Sequence, residues 1–479
     1  TGGAVYLVEA QRAGLLRTAR YCEDPEHQSL YPEHLPMVFF INPAEPQDGD
    51  QHPDDDQATP QRVLRVQLRT RDGQPLGLLV LRYRADQQQD DVHFRAFVEK
   101  LSGTLSVAIE TRSLIEGQKK LFDAVIRLLA DAIDAKSPYT GGHCERVPQL
   151  AESLMQRLCE AEEGPFAHVA MTDAERYEFR LGAWLHDCGK VTSPEHIIDK
   201  ATKLEALYNR IHEVRMRFEV LKRDAELHCL QGILEGGDEA ACRQNLARTL
   251  TELDEDFAFV ARCNLGSEAM APEDQQRLLE VAQRTWQRTL DDRLGLSPLE
   301  LQRHPQDVAL PLPVTESVLA DKPQHRMERP VHDQMPKDDR WGFRMAEPKL
   351  LYNQGELYNL RLGYGTLTEE ERFKINQHIV QTEVMLRQLP FPPHLTHVPE
   401  IAAGHHEKMD GTGYPKGLHH EQLRPETRML AIADIFEALT ASDRPYKKPK
   451  KLSEAIEILN RMSQRGHIDP ALFALFLSS

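Results

Sequence analysis

The chain has 479 residues, 40% hydrophobic and 28% charged, with a formal net charge of −17. That length accommodates about three domains, each able to bury a core of its own. The acidic balance, with no long Lys/Arg block, disfavours nonspecific binding to a nucleic-acid polymer or an anionic membrane face. A small anionic ligand stays open, if metal ions and a few basic side chains focus positive charge locally.

No apolar run approaches the roughly 20 residues that span a bilayer, and no signal-peptide pattern opens the chain. The chain begins at Thr1 inside an apolar stretch, as a piece of something longer would. Residues 1–84 read as strands and turns. Gly3–Val8, Leu15–Arg20, Met37–Ile41, Arg62–Thr70 and Leu76–Arg84 are short β-rich runs, with turn chemistry at Arg71-Asp72-Gly73-Gln74-Pro75. Asn42–Pro60 is acidic, holds four prolines and reads as a solvated loop. A helix is expected from about Asp91 to Leu121, with Phe94, Phe97, Val98, Leu101, Leu105, Ala108 and Ile109 at helical spacing. A sheet followed by a long exit helix resembles the later part of a GAF sensor domain, by pattern and without any diagnostic motif or ligand-defining residue.

Leu121–Ala135 is amphipathic and breaks at Ser137-Pro138. A second amphipathic helix, Glu145–Glu160, carries Val147, Leu150, Ala151, Leu154 and Leu158, as a bundle helix would. From there the chain is mostly helical. Leu204–Leu234 and Asp274–Arg293 have the charged look of hairpins or coiled coil, and Leu296–Gln324 is Pro-rich and irregular. The expected class is therefore α+β: an N-terminal antiparallel-sheet GAF-like domain over 1–115, then an all-α bundle in two parts, 116–203 and 351–479. A large helical insertion, 204–350, separates those parts.

Two stretches carry the chemistry: His186-Asp187-Cys188-Gly189-Lys190, and His405-His406-Glu407-Lys408-Met409-Asp410-Gly411-Thr412-Gly413-Tyr414-Pro415. Imidazoles and carboxylates without thiolates suit hard-to-borderline divalent ions, and paired ions suit phosphate ester hydrolysis. His143 follows a Gly-Gly turn, and His378 falls within the helical stretch Glu369–Leu389. Asp434 stands in the apolar run Met429–Thr440, where a carboxylate is expensive unless paired or hydrogen-bonded. Taken singly, each also fits a satisfied core or surface group. The order H…HD…H…HH…D favours a shared site. Lys190, one turn after His186, is placed to meet a phosphate. The glycines of Gly411-Thr412-Gly413-Tyr414-Pro415 permit a sharp turn that brings backbone amides near an anion; a tight helix connection is the plainer alternative. The seven cysteines, scattered from Cys22 to Cys263 with no CxxC pair, point to a reducing, cytoplasmic compartment. Cys144 and Cys188 are read as packing residues, not ligands.

Motif by motif, the chain resembles the HD-GYP family of metal-dependent cyclic di-GMP phosphodiesterases over Leu121–Ala201 and Gly355–Leu477. The resemblance implies that His143, His186, Asp187 and Asp434 hold one ion, and His378, His405 and His406 a second, with Asp187 bridging. The ions would be two divalent metals such as Fe or Mn. Some family members bind a third ion through a Glu four residues before the first His; Tyr139 stands there, which favours two. By the same resemblance Lys190, Gly413 and Tyr414 contact substrate. Asp443-Arg444-Pro445-Tyr446-Lys447 resembles the phosphate-contacting stretch, with Arg444 and Lys447 meeting the second phosphate, unless it is a solvated basic turn.

The implied reaction opens cyclic di-GMP to pGpG, with possible continuation to GMP, by in-line attack of a metal-bridged hydroxide, with Asp187 and Lys190 as its catalytic residues. Two other readings stay open: another HD-type nucleotide phosphohydrolase acting on ppGpp or a dNTP, or a catalytically silent receptor for the cyclic dinucleotide. The N-terminal domain is expected to regulate in response to an unknown sensor ligand, with homodimerisation through the inter-domain helix.

Overall fold

The computed structural model describes residues 2–9, 14–22, 31–36, 40, 61–84, 88–136, 142–266, 269–304, 310–336, 339–441 and 449–478. Most of Met37–Ile41, all of Asn42–Pro60, and Tyr139, Arg444 and Lys447 fall outside them. The chain divides into two units, Thr1–Val125 and Ile126–Ser479.

Alternating apolar side chains build the first unit. Strands β1 (Gly2–Glu9), β2 (Gly14–Cys22), β3 (His34–Pro36), β4 (Gln61–Arg69) and β5 (Pro75–Arg84) form one antiparallel sheet in the order β3-β2-β1-β5-β4. Ala4, Tyr6, Leu15, Leu78 and Val80 bury one face, and Leu64 and Tyr83 pack with Val98 on the other. The two stretches expected as helical before and after Leu121 are one helix, α1 (Gln88–Asp134).

The second unit is mainly helical. Its first bundle comprises α2 (His143–Glu160), α3 (Asp173–Leu185), a 3-10 turn Cys188–Thr192 and the short α4 (Glu195–Ile198). Next come a helical hairpin, α5 (Ile211–Leu234) and α6 (Glu239–Leu265), then α7 (Pro272–Val281) and α8 (Pro298–Leu301). The remainder is α9 (Glu356–Leu360), α10 (Glu369–Leu386), α11 (Val398–Ala403), α12 (Pro425–Thr440), α13 (Leu452–Gln464) and α14 (Pro470–Leu477). Capping boxes start α3 (Thr172 with Glu175) and α10 (Thr368 with Glu371), satisfying amides that would otherwise be orphaned.

Val147, Ala151, Leu154 and Leu158 of α2 interlock with Phe179, Ile401, Met429, Ile432, Leu459 and Phe473 in one core. Each such fully buried side chain contributes about 1.5–3 kcal/mol. The 204–350 region has a second core, built from Ile211, Val214, Phe218, Leu253, Phe259, Val260, Leu278 and Val318. Within it, the helical character expected over Asp274–Arg293 stops at Val281. Strand β6 (Thr285–Arg288) then pairs with β7 (Val314–Ser317), and β8 (Arg326–Glu328) with β9 (Leu350–Asn353). Charge pattern misleads there because strand pairing across a long loop is a nonlocal contact, which helical periodicity does not display. Among the described residues no helix is long and apolar enough to cross a membrane.

Candidate metal centre

Close helix packing brings the first histidines together. A Cβ at Gly182 of α3 would come within 2.6 Å of Ile401 Cγ2 on α11, so only glycine lets these helices cross at that distance. Four residues beyond Gly182 stands His186; four beyond Ile401 stands His405. Their ring centroids are 4.9 Å apart. Helix α3 ends at Leu185, so His186 caps it and Asp187 leaves the helical path.

Three rings are oriented alike. His186 Nδ1 donates to Ala183 O at 2.8 Å, His378 Nδ1 to Ile375 O at 2.5 Å, and His405 Nδ1 to Ala402 O at 2.7 Å. A carbonyl only accepts, so Nδ1 carries a proton, and in the neutral ring it is Nε2 that is left with the lone pair. Those three Nε2 atoms are buried without a hydrogen-bond partner. Each unpaired buried acceptor costs about 1–3 kcal/mol, a penalty that a bound cation relieves.

Among the described residues, ligand-type atoms lying within 4.8 Å of one another form three overlapping groups: His143, His186 and Asp434; His378, His405 and His406; and His186, Asp187 and His405, which joins the first two. Asp187 stands between the first two. Its Oδ2 lies 3.1 Å from His143 Nε2 and 3.2 Å from His186 Nε2, while its Oδ1 lies 3.3 Å from His378 Nε2. Burial pushes the Asp187 carboxyl up, but the Lys190 ammonium and the His186 and His143 rings outweigh it and hold it well below the usual range. Burial, then the His186 ring, push His405 down to about 3. Burial with the His405 and His378 rings likewise holds His406 well below its ordinary value. Both imidazoles are thus neutral, the form that binds metal. Five imidazoles and two carboxylates, with no thiolate among them, suit a divalent metal centre.

Burial pushes the Cys188 thiol up to about 11 and the Cys144 thiol higher still, so both stay protonated and neither resembles a ligand. Lys190 sits in the 3-10 turn and contacts Asp187 Oδ2 at 2.5 Å, rather than sharing a helical face with His186. In the glycine loop, a Cβ at Gly413 would meet Lys408 N at 2.3 Å and Glu407 Cα at 2.5 Å. Tyr414 lays its ring on His406, centroids 4.9 Å apart, and its amide donates to His406 O at 3.2 Å.

Several supporting residues escape a reading of the sequence. Glu437 Oε2 accepts from His143 Nδ1 at 2.6 Å, and Arg146 Nε donates to its Oε1 at 2.9 Å. Burial pushes Glu437 up, but His143 and Arg146 bring it down to about 2. The signal was the shared spacing: Glu437 lies three residues after Asp434, as Arg146 does after His143. Thr382, four residues after His378, accepts from Gly189 N at 2.9 Å and donates to His186 O at 3.3 Å. Glu407 accepts from the amides of Lys416 at 2.7 Å and Leu418 at 2.9 Å, shaping the glycine loop.

Residues 313–472 match the family model described as HD domain. The chain carries an HD domain. The HD domain match takes in His378, His405, His406 and Asp434, whereas His143, His186 and Asp187 precede it. Curated relatives include a cyclic di-GMP phosphodiesterase of Pseudomonas aeruginosa, 46% identical over 83 residues, which are 17% of this chain and 19% of that protein. A cyclic di-GMP phosphodiesterase of Thermotoga maritima is 41% identical over 115 residues, 24% of this chain and 30% of that protein. A 3′3′-cGAMP-specific phosphodiesterase of Vibrio cholerae is 38% identical over 111 residues, 23% of each. The chain thus spans less than a third of the length of these relatives.

Glu437→Gln is expected to weaken metal binding about 10–100-fold, because it removes the charge that orients His143 and raises its basicity. Metal titration of stripped protein checks this; wild-type affinity in the variant would contradict it.

Proposed function

We propose that this chain is a two-metal phosphodiesterase that opens cyclic di-GMP to pGpG. The observation that most supports the reading is Asp187, a buried carboxylate with one oxygen turned to each imidazole group. It belongs to a chain whose HD domain has relatives named as cyclic di-GMP and 3′3′-cGAMP phosphodiesterases. In this reading His143, His186, Asp187 and Asp434 would hold one ion, and His378, His405, His406 and Asp187 the second. Two divalent ions bound there supply Lewis acidity to the phosphate oxygens and to the attacking water.

The chain's own residues do the rest. The Lys190 ammonium keeps Asp187 ionised. Lys190, its side chain 25% exposed, presents its ammonium to a nonbridging phosphate oxygen where charge gathers. Tyr414 screens one face of His406 from water, and Gly413 lets the loop fold tightly onto Glu407 and Lys408; Gly413 and Tyr414 are the loop's candidates for contact with substrate. Arg444 and Lys447 are the candidates for the second phosphate. Residues 116–203 and 351–479 make up the catalytic bundle, interrupted by 204–350. The sheet unit is a GAF-like regulatory domain for an unidentified ligand. Leu114, Leu121 and Leu128, exposed at seven-residue spacing on α1, support homodimerisation through that helix.

Protein purified anaerobically should contain two ions per chain and yield pGpG from cyclic di-GMP, with 3′3′-cGAMP as the comparison substrate. Full turnover by metal-stripped protein overturns the proposal. Lys190→Ala should lower kcat about 10²–10³-fold, the scale of losing one preorganised charge at a developing oxyanion. An unchanged kcat would remove Lys190 from the mechanism.

A further inference from the structure

Residues 329–336 and 339–344, the last part of the 204–350 region and already inside the stretch matched as HD domain, are tied down at both ends as an arm. At its start Arg329 lies over the Phe373 ring, 4.7 Å from the centroid, and pairs with Asp333. Asp333 pairs with Lys374, and its carbonyl accepts from Gln377 Nε2 at 3.3 Å. Lys374 and Gln377 occupy the turn of α10 just before His378. At the other end Arg344 N–H donates to Pro415 O at 2.8 Å, and Lys416 Nζ lies 5.9 Å from the Phe343 ring. The arm therefore links the helix of one candidate ligand to the glycine loop that follows two others.

Beside the Pro415 anchor stand Trp341 and Phe343. Their ring centroids are 5.8 Å apart with planes within 7°, and both rings are half-buried. Tyr414, next to Pro415 in the chain, lies on His406, so one residue of the glycine loop connects the arm's anchor to the imidazole cluster. Arg340 lies over the Trp341 ring, 5.3 Å from its centroid. Stacking on an aromatic face, with a guanidinium beside it, is a general way for a protein to receive a nucleobase, and in a dinucleotide each base hangs one sugar away from the phosphodiester.

We propose that Trp341 and Phe343 form a stacking subsite for a purine base of the dinucleotide, so that the insertion takes part in substrate selection. This rests on the reading of the centre as a cyclic dinucleotide phosphodiesterase. Base–aromatic stacking is worth roughly 5- to 150-fold in binding.

The test is Trp341→Ala in the full chain, with KM, kcat and bound metal measured together, beside Trp341→Phe, which keeps a ring. The expected result is a rise in KM for cyclic di-GMP within that range, with metal per chain unchanged and substantial recovery in Trp341→Phe. An unchanged KM overturns the subsite, as does a loss of bound metal matching the loss of activity, which would make the pair a brace. If the wild-type protein cleaves no cyclic dinucleotide, the phosphodiesterase reading fails separately. The subsite is then judged by GMP quenching of tryptophan fluorescence in metal-loaded protein. Quenching that disappears in Trp341→Phe supports it, and no quenching, or equal quenching in both, overturns it.

Discussion

Asp187→Asn is expected to abolish turnover of cyclic di-GMP, lowering kcat by at least about 10³-fold, or roughly 4 kcal/mol of transition-state stabilisation. It should also empty both ion positions. The reason is geometric. One oxygen of Asp187 faces His143 and His186, and the other faces His378, so a single side chain serves both imidazole groups. Asparagine keeps the shape but loses the negative charge, and its amide nitrogen points a donor where an ion needs a lone pair. His186→Ala strikes one group only and should leave partial metal. Elemental analysis beside product chromatography reads both effects. An Asp187→Asn protein that kept two ions and a tenth of wild-type turnover would dismiss the bridging role.

The second large effect is predicted at a residue that touches no ion. A Cβ at Gly189 would lie 1.9 Å from His378 O, 2.6 Å from Thr382 N and 2.8 Å from Thr382 Oγ1. The first two are backbone atoms of α10 and cannot rotate away. Gly189→Ala must therefore drive α10 off the 3-10 turn. That movement breaks the 2.9 Å bond from Gly189 N to Thr382 Oγ1 and draws His378 away from Asp187. Overpacking of this kind costs about 1–3 kcal/mol, and more where backbone must move. A fall in Tm together with loss of the second ion is the expected result. Asp187→Asn differs in that its metal loss follows from chemistry, not from helix displacement. Unchanged Tm and metal in Gly189→Ala would show that the turn and α10 are not locked together.

Much of the site was legible because its donors are rare residue types at telling positions. His186-Asp187 and His405-His406 stand out as adjacent ligand-type pairs, and Asp434 stands out as an acid inside an apolar helix. Their supports were harder to see. Glu437 and Thr382 are ordinary helical residues whose meaning lies in what they face: Glu437 holds a ring 294 positions away in sequence, and Thr382 bonds Gly189 193 positions away. The insertion shows the same limit. The charged, helical look of Leu204–Leu234 names α5 but not its partner α6, and the β6–β7 and β8–β9 ribbons and the arm reaching Pro415 depend on contacts that no local pattern names.

The types of candidate donor, their order and the helical stretches around them can be read residue by residue, because amphipathic spacing and ligand chemistry are local properties. Which candidates share a group, that the two oxygens of Asp187 face different rings, and that the arm ends beside the glycine loop follow from long-range packing alone. Those facts arise where α2, α3, α11 and α12 pack around a common core and α10 packs against the 3-10 turn and α11. Burial drives that packing without direction, and close approaches such as Gly182 on Ile401 and Gly189 on α10 set its final geometry.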